Sequence, residues 1–478
     1  MYDRWLGGSI IFDDTIAAIS TAPGVGAIAV VRMSGKQAFG IAQKIFRRHA
    51  DAASQGELGR RVAPPLQSNH ATYGYIINPE NDTRLDEVVL TPFQAPHTYT
   101  GEDLVEISCH GGPVVTKEIL SLLLSNGARL ARPGEFTQRA FLCGRIDLTQ
   151  AEAVLDIIQA KTSRQSRRAL SALGGSLGER INAGRANLLA VLTRVVAGLD
   201  FPEEIGDAPE PEIEKVVGAS LNELDELAST ASTGRYLREG LKLAIVGRPN
   251  AGKSSLLNQL LKFERAIVTE IPGTTRDSLE ELLDINGIPV VLVDTAGIRP
   301  TEDTVEKIGI ERSKKAIAEC DVVLFVLDSL EGWAAPEEEI AELLNGKPFI
   351  SVVNKIDLLS KHHLEKRFGT FGDNCFSRVM VSAKSGANIN ELTEAIERFV
   401  FQDTTAAESP SLNARQTDLC LKAVAALRLV IQTLHGNYPQ DCLATDLKSA
   451  IDALSEISGE SVSEEVIAQV FATFCIGK

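Results

Sequence analysis

With 478 residues, and about 150 per domain as a working figure, the chain has length for roughly three domains and for cores that need no disulfide or metal staples. Hydrophobic content of 44% and charged content of 23% exclude fibrous and wholly disordered classes. A net charge of -16 argues against non-specific binding to nucleic acid or an anionic membrane surface. The seven cysteines include no CxxC pair and the seven histidines form no ligand-spaced cluster, which reads as a reduced chain without structural zinc. The opening segment MYDRWLGGSIIFDD turns acidic where a signal peptide needs an apolar core, and no apolar run reaches the ~18 residues of a membrane span. These features predict a soluble, cytoplasmic protein with no membrane segment.

Residues 1–145 alternate short β-rich runs with Gly/Pro turns: Ala27–Arg32, Thr72–Ile77, Glu87–Thr91 and Leu104–Ser108 as strands, and Pro113–Asn126 as the one long helix. This predicts an α+β domain. From Thr149 to about Ala197 the pattern is helical and free of proline, and Asp200-Phe201-Pro202 breaks it. A second amphipathic helix is predicted from about Glu212 to Ala231, with Ile213, Val217, Leu221, Leu224 and Leu227 inward and a solvated acidic face of Glu214, Glu223, Asp225 and Glu226. From Leu241 to about Phe401 strands starting at Leu241, Val290, Val322, Phe349 and Val379 alternate with helices, the mark of a mainly parallel sheet. Residues 412–478 return to helix. The predicted organisation is multidomain α/β and α: an N-terminal domain over 1–145, a helical domain split into 146–238 and 403–478, and an α/β domain inserted at 239–402.

The strand ending at Val246 runs into Gly247-Arg248-Pro249-Asn250-Ala251-Gly252-Lys253-Ser254, followed by Ser255 and a helix. This fits a phosphate-binding loop, whose glycines let backbone N–H groups and a helix N-terminus converge on phosphate. Lys253 would bridge β- and γ-oxygens and the Ser254 hydroxyl would ligate Mg²⁺. Asp294-Thr295-Ala296-Gly297 ends the next strand and can hold the Mg²⁺ shell and approach the γ-phosphate; alone, Asp294 reads equally as a helix cap. Asn354-Lys355-Ile356-Asp357 ends a later strand, where the aspartate can accept from guanine N1–H and its exocyclic amine, while adenine would leave it unpaired. Ser382-Ala383-Lys384 adds contacts to the guanine carbonyl. Four motifs in this order imply a GTP-binding P-loop domain.

The position after Gly297 is Ile298, which cannot orient a water, and no arginine finger is identifiable, so another group must offset the charge of phosphoryl transfer. Two candidates stand out. Asn250 with carbonyls of Thr269, Ile271 and Thr274 can cage a K⁺ ion within the switch segment Thr269-Glu270-Ile271-Pro272-Gly273-Thr274-Thr275-Arg276-Asp277, where Thr275 is placed to coordinate Mg²⁺. The plain alternative for Asn250 is a turn former. The second candidate is Glu306 in TVEKIGIERS, which can orient the water, or equally serve as a helix first-turn glutamate.

Together GRPNAGKSS, GTTRD, DTAG followed by IR, VEKIGIERS, GEDLVEISCHGGP, ARPGEFTQRAFLCGRIDLTQAEA, DFPEE and the final FCIGK resemble the MnmE (TrmE) family, among the TrmE-Era-EngA-like K⁺-activated GTPases, over the whole chain. The resemblance implies a homodimer with a tetrahydrofolate-binding N-terminal domain, a helical domain and an inserted K⁺-activated G domain. It further implies a flavoprotein partner, MnmG, forming a heterotetramer that adds an aminomethyl or carboxymethylaminomethyl group at C5 of the wobble uridine of certain tRNAs. On this resemblance Arg32, Glu106 and Lys478 match folate-binding residues, with 5-formyl- or methylene-tetrahydrofolate as ligand. Arg145 stands where the family has a lysine, keeping the charge without the compact ammonium. From the residues alone, Arg32 and Glu106 each read equally as a structural charge that a salt bridge would satisfy, and His110-Gly111-Gly112 as a tight turn or a ligand-approach loop. Cys475 matches a cysteine near the modification site, or is a small buried residue.

Residues 129–185 hold ten Lys/Arg against five acidic residues, and Lys161, Arg164 and Arg168 are predicted on one helical face. This is the candidate for direct tRNA contact, with the partner carrying much of the binding; a solvated face is the alternative. The rival function is an RNA- or ribosome-assembly GTPase switch with no role in base chemistry. A membrane-remodelling GTPase is a third option, for which no anchor segment is found.

Overall fold

The computed structural model describes residues 12–49, 66–263, 281–293, 314–344, 346–358, 374–401, 412–436 and 438–478. Among them the chain divides into two compact units, 12–155 with 458–478, and 156–457. The division differs from the expected boundaries at both ends. Helix Glu464–Ala472 and the tail pack with the N-terminal unit, because Phe471 and Phe474 are buried against Ala140, Ile146, Leu148 and Ala151.

The first unit is built on seven strands: β1 (Ile16–Ile19), β2 (Ile28–Ser34), β3 (Phe46–Arg48), β4 (Thr72–Asn78), β5 (Thr83–Phe93), β6 (Leu104–His110) and β7 (Arg129–Leu130). Their order is β3-β4-β5-β6-β2-β1-β7, antiparallel except where β7 runs parallel to β1. Alternation does the sorting. Val31, Met33, Val105 and Ile107 point to a core closed by Ile119, Leu122 and Leu123 of helix Pro113–Ser125, which leaves Arg32 and Glu106 facing each other on the opposite face. β1, β3 and β7 went unread in the sequence because each is four residues or fewer.

Beside this sheet lies a charged frame that is buried at Arg139 and Glu135 and open to water at Asp14 and Arg129. Arg139, 1% exposed, donates to Asp14 at 2.7 Å and Glu102 at 3.0 Å, and Arg129 donates to Asp14 and Glu135, each at 2.6 Å. Burial alone would raise the Glu135 carboxyl, but the hydrogen bonds from Arg129 and the Arg132 amide and the charges of Arg129 and Arg139 outweigh it and hold it below its ordinary value.

In the second unit, one core joins Leu177, Leu188, Val195, Val217 and Leu224 to Leu419, Leu427, Leu447 and Leu454, from both sequence flanks of the α/β segment. The predicted helix over Thr149–Ala197 is three helices, Leu148–Gln159, Ser163–Leu173 and Ser176–Asp200. Thr162 starts the second by accepting from Gln165, and Gly175 in a left-handed conformation starts the third. The acidic face of helix Glu210–Ser229 is not merely solvated: Glu223 pairs with Arg180, Asp225 with Arg428 and Glu214 with His435.

The second sheet holds β8 (Leu241–Gly247), β9 (Glu281–Ile285), β10 (Ile288–Leu292), β11 (Val322–Asp328), β12 (Phe349–Asn354) and β13 (Cys375–Met380), in the order β13-β12-β11-β8-β10-β9. All pairs are parallel except the β9–β10 hairpin. That hairpin was missed in the sequence although Asn286-Gly287 is a two-residue turn signal; both residues have positive φ, 51° and 82°. Its tip is clamped. Thr162 Oγ1 donates to the Gly287 carbonyl at 2.7 Å, and Arg164 bonds Glu397 at 2.8 Å and lies 4.0 Å over the Phe401 ring.

A Cβ on Gly287 would stand 2.8 Å from Arg164 Cβ in a conformation that side chains rarely adopt. Gly287→Ala should therefore lower stability by roughly 1–3 kcal/mol in a urea titration; an unchanged midpoint would mean that the tip is not held. Glu135 makes an acid-side prediction. A carboxyl depressed in the fold and ordinary when unfolded stabilises above about its ordinary value of 4.5 and ceases to do so as pH falls through its folded value. Glu135→Gln should cost about 1–3 kcal/mol near neutrality and lose less than the parent on acidification; parallel acid profiles would refute this.

Candidate functional site

The phosphate loop leaves the C-terminal end of β8, where chain connections diverge to β10 on one side and β11 on the other, the usual position for a ligand in an open α/β sheet. Asn250 is left-handed at φ 64°, and helix Lys253–Phe263 begins directly after Gly252. Lys253 Nζ donates to the carbonyls of Gly247 and Arg248, both at 2.7 Å, so the lysine is folded over the loop; burial pushes its ammonium down. Arg248 is held in turn by Glu331 and by the buried Glu337 at 3.3 Å. Sequence reading missed this anchor because residue 248 is a free position in the motif.

Asn354, 2% exposed at the end of β12, uses both halves of its carboxamide. Nδ2 donates to the Ala251 carbonyl at 2.9 Å and Oδ1 accepts the Ala383 amide at 2.9 Å. Only glycine fits opposite it: a Cβ on Gly252 would lie 2.1 Å from Asn354 Nδ2. Ser382 is fully buried and donates to Asp357 Oδ1 at 2.6 Å, and Lys355 pairs with Asp328 at 2.6 Å. Asp357 and Lys384 are exposed, as are Ser254 and Ser255 at the helix start. The structure thus brings Asn250, Ala251, Gly252, Lys253 and Ser254 together with Asn354, Lys355, Asp357, Ser382 and Ala383. Thr269, Glu270, Ile271, Pro272, Gly273, Thr274, Thr275, Asp294, Thr295, Ala296, Gly297 and Glu306 lie outside the described residues. Among the described residues no group of three His, Cys, Asp or Glu side chains is arranged to hold a metal, and no helix is long and apolar enough to cross a membrane.

In the first unit the other four candidates also converge. Arg32 donates to Glu106 at 2.7 Å and lies 5.1 Å over the Tyr99 ring; Arg145 lies over the same ring at 5.1 Å and donates to the Tyr99 carbonyl at 2.7 Å. Burial lowers the Lys478 ammonium, the Arg32 charge lowers it further and Glu106 opposes, which puts the lysine within electrostatic reach of both. Arg32 Nη1 is buried without a hydrogen-bond partner among the described residues. Arg32 and Glu106 are thus each other's salt-bridge partner, which leaves one guanidinium nitrogen over. Tyr99, which organises the group, was not singled out in the sequence, since nothing in its spacing distinguishes it from a loop tyrosine. Cys475 is exposed rather than buried, with its carbonyl accepting from the Gly134 amide at 3.3 Å. The segment His110-Gly111-Gly112 pairs tightly with Gly26 and Ala27, and His110 bonds Asp86 at 2.7 Å.

The expected three-cation face does not form. Lys161 precedes the helix, Arg164 is engaged by Glu397 and Phe401, and burial, with Arg164 and Arg238 nearby, pushes the Arg168 guanidinium down to about 10. Arg129, Arg139 and Arg180 are likewise committed to internal ion pairs.

A family model described as the MnmE helical domain matches residues 148–475, and one described as the GTP-binding protein TrmE N-terminus matches residues 15–145. The chain is 43% identical over 470 residues to the tRNA modification GTPase MnmE of Acetivibrio thermocellus, covering 98% of this chain and 99% of that protein. It is 44% identical over 475 residues to the protein of the same name from Ligilactobacillus salivarius, covering 97% and 98%. A crystal structure of Aquifex aeolicus Era bound to GDP and AlF4- overlays 39% of this chain and 67% of its own at 28% identity, with a TM-score of 0.26, too low to bear on the fold. Two family models that together span nearly the whole sequence, and full-length relatives above 40% identity, agree: the chain belongs to the MnmE family of tRNA modification GTPases.

Proposed function

We propose that this chain hydrolyses GTP and that the cycle drives modification of tRNA at the wobble uridine, at C5, with a flavoprotein partner of the MnmG type. The observation that carries the reading is the Asn354 bridge, which ties the phosphate loop to the Ser382-Ala383 loop and makes one continuous nucleotide cradle. Relatives covering 98% of the chain bear the name tRNA modification GTPase, and that name supplies the tRNA half of the reading.

Within the cradle, the loop amides and the helix beginning at Lys253 favour phosphate, and Lys253 is released from two carbonyls to meet it. Ser254, a hydroxyl at the helix start, suits the hard cation Mg²⁺, with Thr275 as its second protein ligand. Asp357, exposed and steadied by Ser382, reads guanine N1–H and the exocyclic amine. Asn250, standing out at the loop tip, holds K⁺ with the carbonyls of Thr269, Ile271 and Thr274, and Glu306 orients the attacking water. K⁺ would supply the positive charge that an arginine supplies elsewhere.

The cluster around Tyr99 suits tetrahydrofolate. Arg32, Arg145 and Lys478 suit its carboxylates, Glu106 its ring N–H donors, and Tyr99 its flat ring, while the spare Arg32 nitrogen awaits an acceptor. Exposed Ile28, Tyr73 and Val89 on the same sheet support a homodimer through this unit. Cys475 stands near this cluster by sequence, three residues before Lys478.

The deciding experiment incubates the protein with its flavoprotein partner, GTP, Mg²⁺, KCl, a methylene-tetrahydrofolate and tRNA, and reads the wobble uridine by mass. Modified uridine is expected, and Lys253→Ala should reduce it about a hundredfold or more; unmodified uridine with rapid GTP hydrolysis would favour an assembly switch. Hydrolysis should also run several-fold faster in KCl than in NaCl, and Asn250→Ala should erase the difference. Equal rates in both salts for the parent would reject the K⁺ cage.

A further inference from the structure

Helix Ser176–Asp200 and the turn after it leave five large apolar side chains in water: Leu189 (45% exposed), Val196 (39%), Leu199 (41%), Phe201 (55%) and Ile205 (44%). The same helix meets the bundle core with Leu188, Val191 and Val195, so the exposed set is additional to its packing face. The turn is firmly built. The Phe201 amide donates to Ala197 at 3.0 Å, the Ile205 amide to Phe201 at 3.0 Å, and the Gly206 carbonyl lies so near Gly198 that a Cβ there would sit at 2.6 Å. Ala208, just beyond, is 3% exposed. A rigid turn that presents a phenylalanine and an isoleucine outward is the pattern of an interaction surface rather than of slack chain.

Charge says what kind of partner fits. Asp200, Glu203, Glu204, Asp207, Glu210 and Glu212 are all exposed, and no Lys or Arg occurs between Arg194 and Lys215. RNA would bring phosphates to this carboxylate rim, and a second copy would bring the same rim and a net charge of -16. A protein with apolar hollows ringed by Lys/Arg would be drawn to it. Four of the ten Lys/Arg between residues 129 and 185, Arg129, Arg139, Arg164 and Arg180, are meanwhile engaged in ion pairs, which thins the positive charge this chain can offer an RNA backbone.

We propose that the turn Asp200–Asp207, with its apolar pair Phe201 and Ile205 inside a ring of carboxylates, docks a protein surface that offers Lys/Arg around apolar hollows, that of the flavoprotein of the reading above, on which this inference rests. The test uses the full chain carrying Phe201→Ser with Ile205→Ser, and separately Glu203→Lys with Glu204→Lys, titrated into the flavoprotein and followed by flavin absorbance in sedimentation at low and high KCl. The parent complex should weaken with salt. Each double variant should weaken it about tenfold or more, with GTP hydrolysis and the sedimentation of the isolated chain unchanged. The charge-reversal variant alters only exposed carboxylates, so it decides the matter if the serine variant folds poorly. Binding by both variants within twofold of the parent overturns the surface and leaves the functional reading standing. A variant that changes the chain's own sedimentation assigns the turn to self-association and overturns the proposal. A parent chain that binds no flavoprotein overturns the partner reading and the surface together.

Discussion

The nucleotide cradle depends on one buried carboxamide. Asn354 sits at the end of a strand whose every residue is buried, and its two polar atoms face Ala251 and Ala383, in loops 132 residues apart in sequence. Leaving either atom without its partner would cost about 1–3 kcal/mol, so the side chain is fixed only when both loops are in place. The effect is mutual: the Ala251 carbonyl and the Ala383 amide are each oriented by a group that cannot turn away into solvent. The loop after β8 and the Ser382-Ala383 loop are thereby set to one separation, which would reduce the ordering that nucleotide binding must accomplish. Gly252 belongs to the same constraint, since any Cβ there would occupy the amide nitrogen's place.

A second constraint runs through the charged frame of the other unit. Arg139 is almost wholly buried, and such a cation is tolerable only where carboxylates meet it, as Asp14 and Glu102 do. Burial drives Glu102 upward even with Arg139 beside it, whereas Glu135, with hydrogen bonds from Arg129 and a backbone amide, is driven the other way. Two carboxyls close to the same arginine are thus separated by their hydrogen bonding more than by distance. The frame fixes helix Glu135–Leu142, whose Phe136 lies 5.7 Å from the Arg32 guanidinium, and so bears on the posture of the cluster around Tyr99.

Much of this was legible in the sequence. The motif order carried the α/β unit, and the strands at Leu241, Val322 and Phe349 are where continuous apolar runs put them, because strands buried on both faces need no alternation. The strand predicted from Val379 begins four residues earlier, at Cys375, where Ser377 and Arg378 break the apolar run as an edge strand permits. Arg32 and Glu106 were named separately, but only register makes them direct neighbours, and no local pattern records a pairing across 74 residues. The basic segment illustrates the opposite failure. Lys161 falls before the helix rather than on its face, and the burial of Arg168 and the capture of Arg164 by Phe401 depend on elements more than two hundred residues away or folded against them. Charge counts report supply; they do not report what has already been neutralised inside the fold.

The place of the last helix has a consequence for biosynthesis. The first unit lacks Phe471 and Phe474 until residues 458–478 have been made, and the whole of 156–457 is translated in between. On the ribosome, Ala140, Ile146, Leu148 and Ala151 must wait with one side of their pocket open while the nucleotide-binding segment emerges and folds. A chain stopped just upstream of residue 458 would leave that pocket open for good, since Phe471 and Phe474 are the plug that arrives last.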